Sequence, residues 1–230
     1  MSDKNELTLY GKIAKTEFVY ASKKKNEKFY QLNFEVDRLS EAKDVLPIIC
    51  SEKLLYDLKL EENTDAIFMI TGSVRTRNYT DENGKSHLSI YGYADNIEKL
   101  DEAGLEKYNE LKEKNIVELE GHICKPVNKR KTNKSNRIIT DTLIAVNRPY
   151  NRSDYIPCIA WGRNAKLAGG RSVGDKVSIV GRFQSRTYYK KDSDQPMTAY
   201  EVSISDLTVI ENIEKKEENN GEAKEWGNKR

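Results

Sequence analysis

Arginine and tyrosine alternate in two segments of the chain that lie about 109 residues apart. The first segment runs from Arg75 through Arg77 to Tyr79, and the second contains Arg186 and Tyr188. Side chains two residues apart share one face of a β-strand, so each segment would present guanidinium groups and a ring together. Proteins hold single-stranded nucleic acid by contacting phosphates with cations and stacking rings on bases. Each segment therefore predicts a nucleic-acid-binding strand.

The second half of the chain carries further aromatic and basic candidates. Tyr155 and Trp161 are six residues apart, a spacing that places both side chains on one face of a strand. Trp161 could instead be a core residue, and Tyr189 could either stack on a base or pack against the protein. Nearby positive charge comes from Arg148, Arg152 and Arg163.

A run of basic residues follows the predicted first strand of the second half. Residues 121–140 contain six Lys or Arg and no acid, namely Lys125, Lys129, Arg130, Lys131, Lys134 and Arg137. Such a run is usually a solvated face, but this one lies where a loop would reach over the predicted binding strands, which favours phosphate contact. The first half has a weaker counterpart at residues 23–28.

The two halves repeat one pattern. Val36, Asp37, Arg38, Pro47 and Asp65 have counterparts 110 positions later, namely Val146, Asn147, Arg148, Pro157 and Asp175. A repeat of this length is a duplicated domain, because solenoid repeats are about 20–50 residues long. A chain of 230 residues accommodates two domains of ordinary size.

Each half predicts three strands, a short helix and a two-stranded hairpin. In the first half, strand one spans residues 7–13 and a basic loop follows it. In the second half, strand three spans residues 156–161 and strand four spans 176–189. This order is typical of the OB-fold, a five-stranded Greek-key barrel. Gly72 and Gly181 suit the sharp bends at barrel corners.

We therefore expect an all-β chain of two tandem OB-fold five-stranded barrels, the first at residues 1–98 and the second at 116–212. A helical linker is expected at 99–115, with Asp101 as the cap of its helix, and it would lie in solvent. The last segment, residues 213–230, is charged and poor in apolar groups, which predicts a disordered tail.

Several functional classes do not fit this composition. The chain has no run of about 18 apolar residues and no apolar leader at its start, so we expect neither a membrane span nor export. Cys50, Cys124 and Cys158 show no metal-type spacing with His87 or His122, which predicts a reducing cytoplasm and no metal. We see no catalytic constellation and expect neither an enzyme nor a cofactor.

Parts of the second half resemble the bacterial single-stranded DNA-binding protein family. The similar stretches are residues 144–148, 155–162, 174–182 and 186–188. Members of that family carry aromatic residues at the positions of Tyr155, Trp161 and Tyr188. The first half resembles the family more faintly, and its two strand-three positions hold Val45 and Ser51, so those stacking sites look lost.

The resemblance implies non-enzymatic binding of single-stranded DNA with little sequence preference, in replication, recombination or repair. It also implies a homodimer with four barrels in all, in the cytoplasm with the nucleoid. Family members usually end in an acidic Pro-Phe tip, whereas this sequence ends in residues 225–230, where Trp226 could anchor a different partner. Two alternatives stay open: a helicase or primosome accessory protein that uses its barrels for protein contacts, and an RNA-binding OB-fold.

Overall fold

The structure is a computed structural model that describes residues 2–24, 26–40, 42–56, 58–60, 65–132, 136–189 and 195–210. Within them the first barrel contains β1 (Asn5–Ser22), β2 (Glu27–Asp37), β3 (Lys43–Ser51), β4 (Phe68–Thr80) and β5 (Ser86–Lys99). Strand β1 pairs with both β2 and β4, and β3 pairs with β5 in parallel, so the barrel is closed. A 3-10 turn, Glu52–Leu55, follows β3, and the Ser51 side chain accepts a hydrogen bond from its Lys53 N–H.

The second barrel repeats this topology with one added strand. Its strands are β6 (Asn115–Ile123), β7 (Asn128–Lys131), β8 (Ile138–Arg148), β9 (Arg152–Trp161), β10 (Lys176–Tyr189) and β11 (Pro196–Ile210), with helix α2 (Gly162–Gly169) after β9. Pairing of β6 with β8 closes this barrel, and β9 pairs with β11 in parallel. The predicted fold, two tandem OB-fold barrels, is confirmed.

Apolar side chains alternate along the strands and fill the barrel interiors. In the first barrel Leu7, Leu9 and Phe34 are buried, and in the second Val117 and Phe183 are buried. This period of two is the pattern that a half-buried strand requires. The polar positions between them face outwards, and these are the positions where a ligand can reach the strands.

Glycines stand at the two bends that the sequence predicted. The β4–β5 register shifts at Gly72, and the β10–β11 register shifts at Gly181. A Cβ atom at Gly72 would lie 2.0 Å from the carbonyl oxygen of Tyr93, and one at Gly181 would lie 2.4 Å from that of Ser203. Only a residue without a side chain allows the strands to approach this closely.

The barrels are joined through a continuous sheet as well as through the linker. Strand β1 pairs with β6 in antiparallel register, with Asn5 opposite Leu119 and Leu9 opposite Asn115. The first and second barrels therefore share backbone hydrogen bonds. The sequence did not predict this pairing, because β1 and β6 are separated by more than 90 residues and neither reads as an edge.

The linker contains helix α1 (Glu102–Glu110), whose N-cap is Asp101 as predicted. Most of this helix is exposed, but Tyr108 is buried and its ring centroid lies 6.4 Å from that of Tyr10 on β1. The Lys114 ammonium lies over the Tyr108 ring, 3.8 Å from its centroid. The helix thus packs on the sheet near the place where the barrels join.

Other boundaries also differ from prediction. Strand β1 continues to Ser22, so the expected basic loop of the first barrel is mostly a long β1–β2 hairpin. Residues 128–131 of the second basic run form β7 and pair with β8. Lys134, the predicted turn at 191–194 and the predicted tail at 213–230 lie outside the described residues. Neither helix in the described part of the chain has the length and apolarity of a membrane span.

Candidate nucleic-acid interface

The outer face of β9 displays two large rings. Ile156, Cys158 and Ala160 point into the barrel and are buried, whereas Tyr155 and Trp161 are 43% and 41% exposed. The structure therefore places both rings on one outer face, as their spacing predicted, and not in the core. Flat, partly exposed rings on a strand are the groups on which unpaired bases stack.

Strand β10 places the second arginine–tyrosine segment beside these rings. Arg186 is exposed and its guanidinium carbon lies 5.8 Å from the centroid of the Tyr188 ring. The Arg186 guanidinium also lies 3.4 Å from the carboxylate of Glu201, which accepts a hydrogen bond from Gln184 at 3.0 Å. Tyr189, the last described residue of the strand, is exposed.

Trp161 borders a cleft of about 450 Å³ that both barrels line. The second barrel contributes Trp161, Arg182 and Arg186, and the first barrel contributes Arg38 and Lys43. Four cationic side chains from the two domains thus line the cleft that the exposed indole ring of Trp161 borders. Sequence reasoning missed Arg38 and Lys43 as contributors to this cleft, although Arg38 repeats the candidate Arg148 at the 110-residue offset.

Two buried carboxylates, Asp44 and Asp154, accept hydrogen bonds across the junction of the barrels, in addition to the β1–β6 ladder. Asp44 of the first barrel accepts hydrogen bonds from Arg38 Nε at 2.8 Å and from the Ser185 N–H at 2.7 Å. Arg38 Nη2 also donates to the Ser185 carbonyl at 2.7 Å. The hydrogen bond to Asp44 raises the pKa of Arg38. Arg38 is therefore a fixed positive charge that ties β3 to β10.

Asp154 of the second barrel makes the corresponding contact with the first barrel. It is fully buried and accepts a hydrogen bond from the Thr76 N–H on β4 at 2.8 Å. Arg75 Nη1 lies 3.2 Å and Arg148 Nε 3.0 Å from the same carboxylate. The pair of contacts made by Asp44 and Asp154 gives the two barrels an approximate twofold arrangement.

These contacts change what can be expected of two predicted ligands of phosphate. Arg75 and Arg148 are mostly covered, and both have the buried carboxylate of Asp154 as their ion-pair partner. Two guanidinium groups around one carboxylate still leave a net positive charge at the surface. On the same strand Arg77 is exposed, and Tyr79 is exposed with its ring stacked on His87 at 5.3 Å between centroids.

The basic run of the second barrel is partly neutralised. Arg130 donates to both oxygens of Asp141, at 2.7 and 3.0 Å, and this hydrogen bonding raises its pKa. Asp141 lies across the β7–β8 ladder, outside the acid-free stretch that drew attention in the sequence. The other described cations of this region are exposed, namely Lys125, Lys129, Lys131 and Arg137, as is Arg163 at the start of α2.

Sequence reasoning missed a group of rings on the first barrel. Tyr20 on the β1–β2 hairpin is 44% exposed and stacks on Phe29, with 4.8 Å between ring centroids and 11° between planes. Tyr91 and Tyr93 lie half-buried on the outer face of β5. The signal was present in the run Phe18-Val19-Tyr20, whose β-forming side chains favour a strand where a basic loop was expected.

Comparison with known proteins gives a consistent result. Residues 114–210 match the model of the single-strand binding protein family. The wild-type single-stranded DNA binding protein from Thermus aquaticus has a similar structure, with a TM-score of 0.68 at 17% identity over 92% of this chain and 95% of that chain. A deletion mutant of that protein gives 0.66 at 17% identity, over 92% and 96%. No curated protein sequence matches the chain.

The solved structures establish a shared two-barrel fold, because they span nearly the whole of both chains. The family match covers all strands of one barrel, from β6 to β11. It also includes the exposed rings of Tyr155 and Trp161. The second barrel of this chain is therefore the part that is similar to the single-strand binding protein family.

Proposed function

We propose that the protein binds single-stranded DNA with little sequence preference and without catalysis, in DNA replication, recombination or repair in the cytoplasm. The observation that carries the proposal is the outer face of β9, where Tyr155 and Trp161 stand exposed beside a cationic cleft. Every base has a π-face, so rings placed this way accept any sequence.

Stacking on rings and contact with phosphates both contribute to the affinity for a single strand. Each base stacked on a ring contributes about 1–3 kcal/mol. Exposed ion pairs contribute only about 0–1 kcal/mol. A phosphate can therefore replace Asp141 at Arg130 at small cost, because both side chains are exposed. We assign Arg130 to phosphate contact together with the exposed guanidinium groups of Arg77, Arg163 and Arg186.

Arg75 and Arg148 are not expected to leave their carboxylate partner for a phosphate, because that partner, Asp154, is buried. Separating them from Asp154 would leave a buried charge without compensation, which costs several kcal/mol. We infer that they position β4 against β9 and attract the phosphate backbone at longer range. Direct phosphate contacts come from the exposed cations of the interface.

We also propose a homodimer, so that four barrels act together. Strands β4, β1, β6 and β10 lie side by side across the junction of the two barrels. Their outer face presents Ile116 and Val180 near the centre, between the more polar edges. A second copy that covers this face would remove apolar surface from water and leave the rings of β9 accessible.

Fluorescence and anisotropy together test the DNA-binding proposal. In a Trp226→Phe background, Trp161 is the only tryptophan, and we expect oligo-dT to quench it at low salt. Binding of a fluorescein-labelled strand should weaken at least about 25-fold in the Tyr155→Ala/Trp161→Ala variant, since two stacking rings are lost. Trp161→Phe keeps a ring at that position and serves as the matched control.

Unchanged affinity in the double alanine variant would contradict the proposal and support the accessory role, in which the barrels contact protein. Competition between ribo- and deoxyribo-oligonucleotides of equal length separates DNA binding from RNA binding. We expect the deoxyribo-oligonucleotide to be at least as strong a competitor as the ribo-oligonucleotide. A clear preference for RNA would contradict the assignment to DNA.

A further inference from the structure

The first barrel lacks rings at the two places where the second barrel has them. At the 110-residue offset, Val45 stands for Tyr155 and Ser51 stands for Trp161. Both positions lie on the outer face of β3, which corresponds to the outer face of β9. Strand β3 of the first barrel therefore has no stacking group at either of the positions that carry rings on β9.

Rings on the neighbouring strands occupy the same region. Phe29 is directly opposite Ser51 in the β2–β3 ladder, and Tyr20 is directly opposite Phe29 in the β1–β2 ladder. The Tyr20 ring lies parallel to that of Phe29 and covers it. The exposed ring has thus moved from β3 to the hairpin, two strands away.

The second barrel shows the reverse arrangement at the corresponding positions. There Arg130 is opposite Ile139, and Ile139 is opposite Trp161. The cation stands on the hairpin side and the ring on the third strand. The exposed ring is therefore on the hairpin in the first barrel and on the third strand in the second barrel. The apolar residue between the two positions, Phe29 or Ile139, is buried in both barrels.

Strand β5 adds two rings that the second barrel lacks. Tyr93 lies beside Ile49 in the parallel β3–β5 ladder, and Tyr91 lies opposite Arg75. The corresponding residues of β11 are Ser203, beside Ile159, and Glu201, opposite Gln184. An acid and a hydroxyl in one barrel are thus replaced by two phenol rings in the other.

The hairpin ring and the β5 rings lie on the same outer face of the sheet. Tyr20 aligns with Ser51 through Phe29, Tyr93 lies beside Ile49, and residues 49 and 51 of β3 share one face. Burial raises the pKa of both Tyr91 and Tyr93, and the neighbouring Tyr20 phenol adds to the rise in each case. The Arg77 and Arg148 guanidinium groups act on Tyr91 in the opposite direction. Rings from strands on both sides of β3 therefore lie on one outer face of the first barrel, and the exposed Arg77 shares the face of Arg75, which lies opposite Tyr91.

We propose that Tyr20, Tyr91 and Tyr93 form a stacking surface for bases of single-stranded DNA on the first barrel, which replaces the two sites absent from β3. This inference rests on the proposed function of the chain. Single-stranded DNA is the occupant that fits, because Arg77 borders the rings and Lys23 and Lys24 are exposed at the hairpin tip. An apolar partner or a second copy would offer these cations no phosphate to contact.

A relocated tryptophan tests the surface while the second barrel keeps a ring at both β9 positions. In the Trp161→Phe/Trp226→Phe background, Tyr20→Trp places the only tryptophan on the hairpin. We expect a roughly 35-nucleotide oligo-dT to quench its fluorescence in proportion to binding, which anisotropy of the labelled strand measures separately. Full binding with an unquenched Trp at position 20 would overturn the proposal and leave the function of the second barrel standing.

Affinity provides a second readout. Added to Tyr155→Ala/Trp161→Ala, the changes Tyr20→Ala and Tyr93→Ala should weaken binding of the strand by at least a further fivefold, because each base loses a stacking partner. Tyr20→Phe, which keeps the ring, should restore binding relative to Tyr20→Ala. If the two additional alanines leave the affinity of the double variant unchanged, the first barrel has no such surface.

Discussion

At the scale of single residues, the burial of an aspartate decides whether its arginine partners remain available to a ligand. Asp154 is fully buried and is surrounded by Thr76, Arg75 and Arg148. Asp141 is a surface acid that pairs with Arg130. The same pair of residue types, Asp and Arg, therefore has a structural role in one place and an exchangeable one in the other.

Asp154→Asn should lower the free energy of unfolding by about 3 kcal/mol, because two partly buried guanidinium groups lose their counter-charge. Urea denaturation followed by circular dichroism measures the change. Asp141→Asn is the matched control and should cost less than about 1 kcal/mol, since its pair is exposed to water. Equal effects of the two substitutions would show that Asp154 does not carry the junction.

At the scale of elements, the bends of β4 and β10 bring the binding strands across the barrels. Each bend occurs at a glycine where the register of the hairpin shifts, between Thr71 and Gly72 and between Val180 and Gly181. Beyond the bend, Arg77 and Tyr79 lie on the outer part of the β4–β5 hairpin. Arg186 and Tyr188 lie on the outer part of the β10–β11 hairpin.

Gly72→Ala should destabilise the protein by about 1–3 kcal/mol, because the added methyl group would meet the backbone of Tyr93 at 2.0 Å. A chemical denaturation series gives the value. Gly170→Ala is the control: its Cβ would have no neighbour nearer than 3.6 Å, and we expect a change within about 0.5 kcal/mol. A tolerated alanine at position 72 would contradict the close approach of β4 and β5.

At the scale of the whole molecule, the β1–β6 ladder makes the two barrels one body with a shared outer sheet face. In a homodimer this face would be covered, whereas the rings of β9 and of the first-barrel hairpin would remain on the outside. A single DNA strand bound to both barrels would then contact the rings of β9 on one barrel and the differently arranged rings of the hairpin on the other.

Native mass spectrometry should show two chains, with and without a roughly 35-nucleotide strand. Val180→Glu should shift the mass to that of one chain, because it places a charge in the covered face. Val173→Glu, at an exposed valine in the turn before β10, should leave the dimer intact. A dimer that survives Val180→Glu would place the interface elsewhere on the molecule.

Local patterns alone were enough to predict much of the architecture. The 110-residue repeat, the alternation of apolar residues and the two corner glycines together indicated two OB-fold barrels. The six-residue spacing of Tyr155 and Trp161 likewise predicted their common face. These features depend on neighbours within one strand or on the similarity of the two halves, so they can be recognised from the amino-acid sequence alone.

Long-range pairing decided the rest. Asp154 meets Thr76, Tyr20 covers Phe29 beyond a longer hairpin than expected, and β1 joins β6. Such contacts depend on the register between strands that are distant in the sequence, and a shift of one residue would turn each side chain to the other face. The amino-acid sequence therefore determined the barrels and their rings, whereas tertiary structure determined which charges are neutralised and where the first barrel places its aromatic surface.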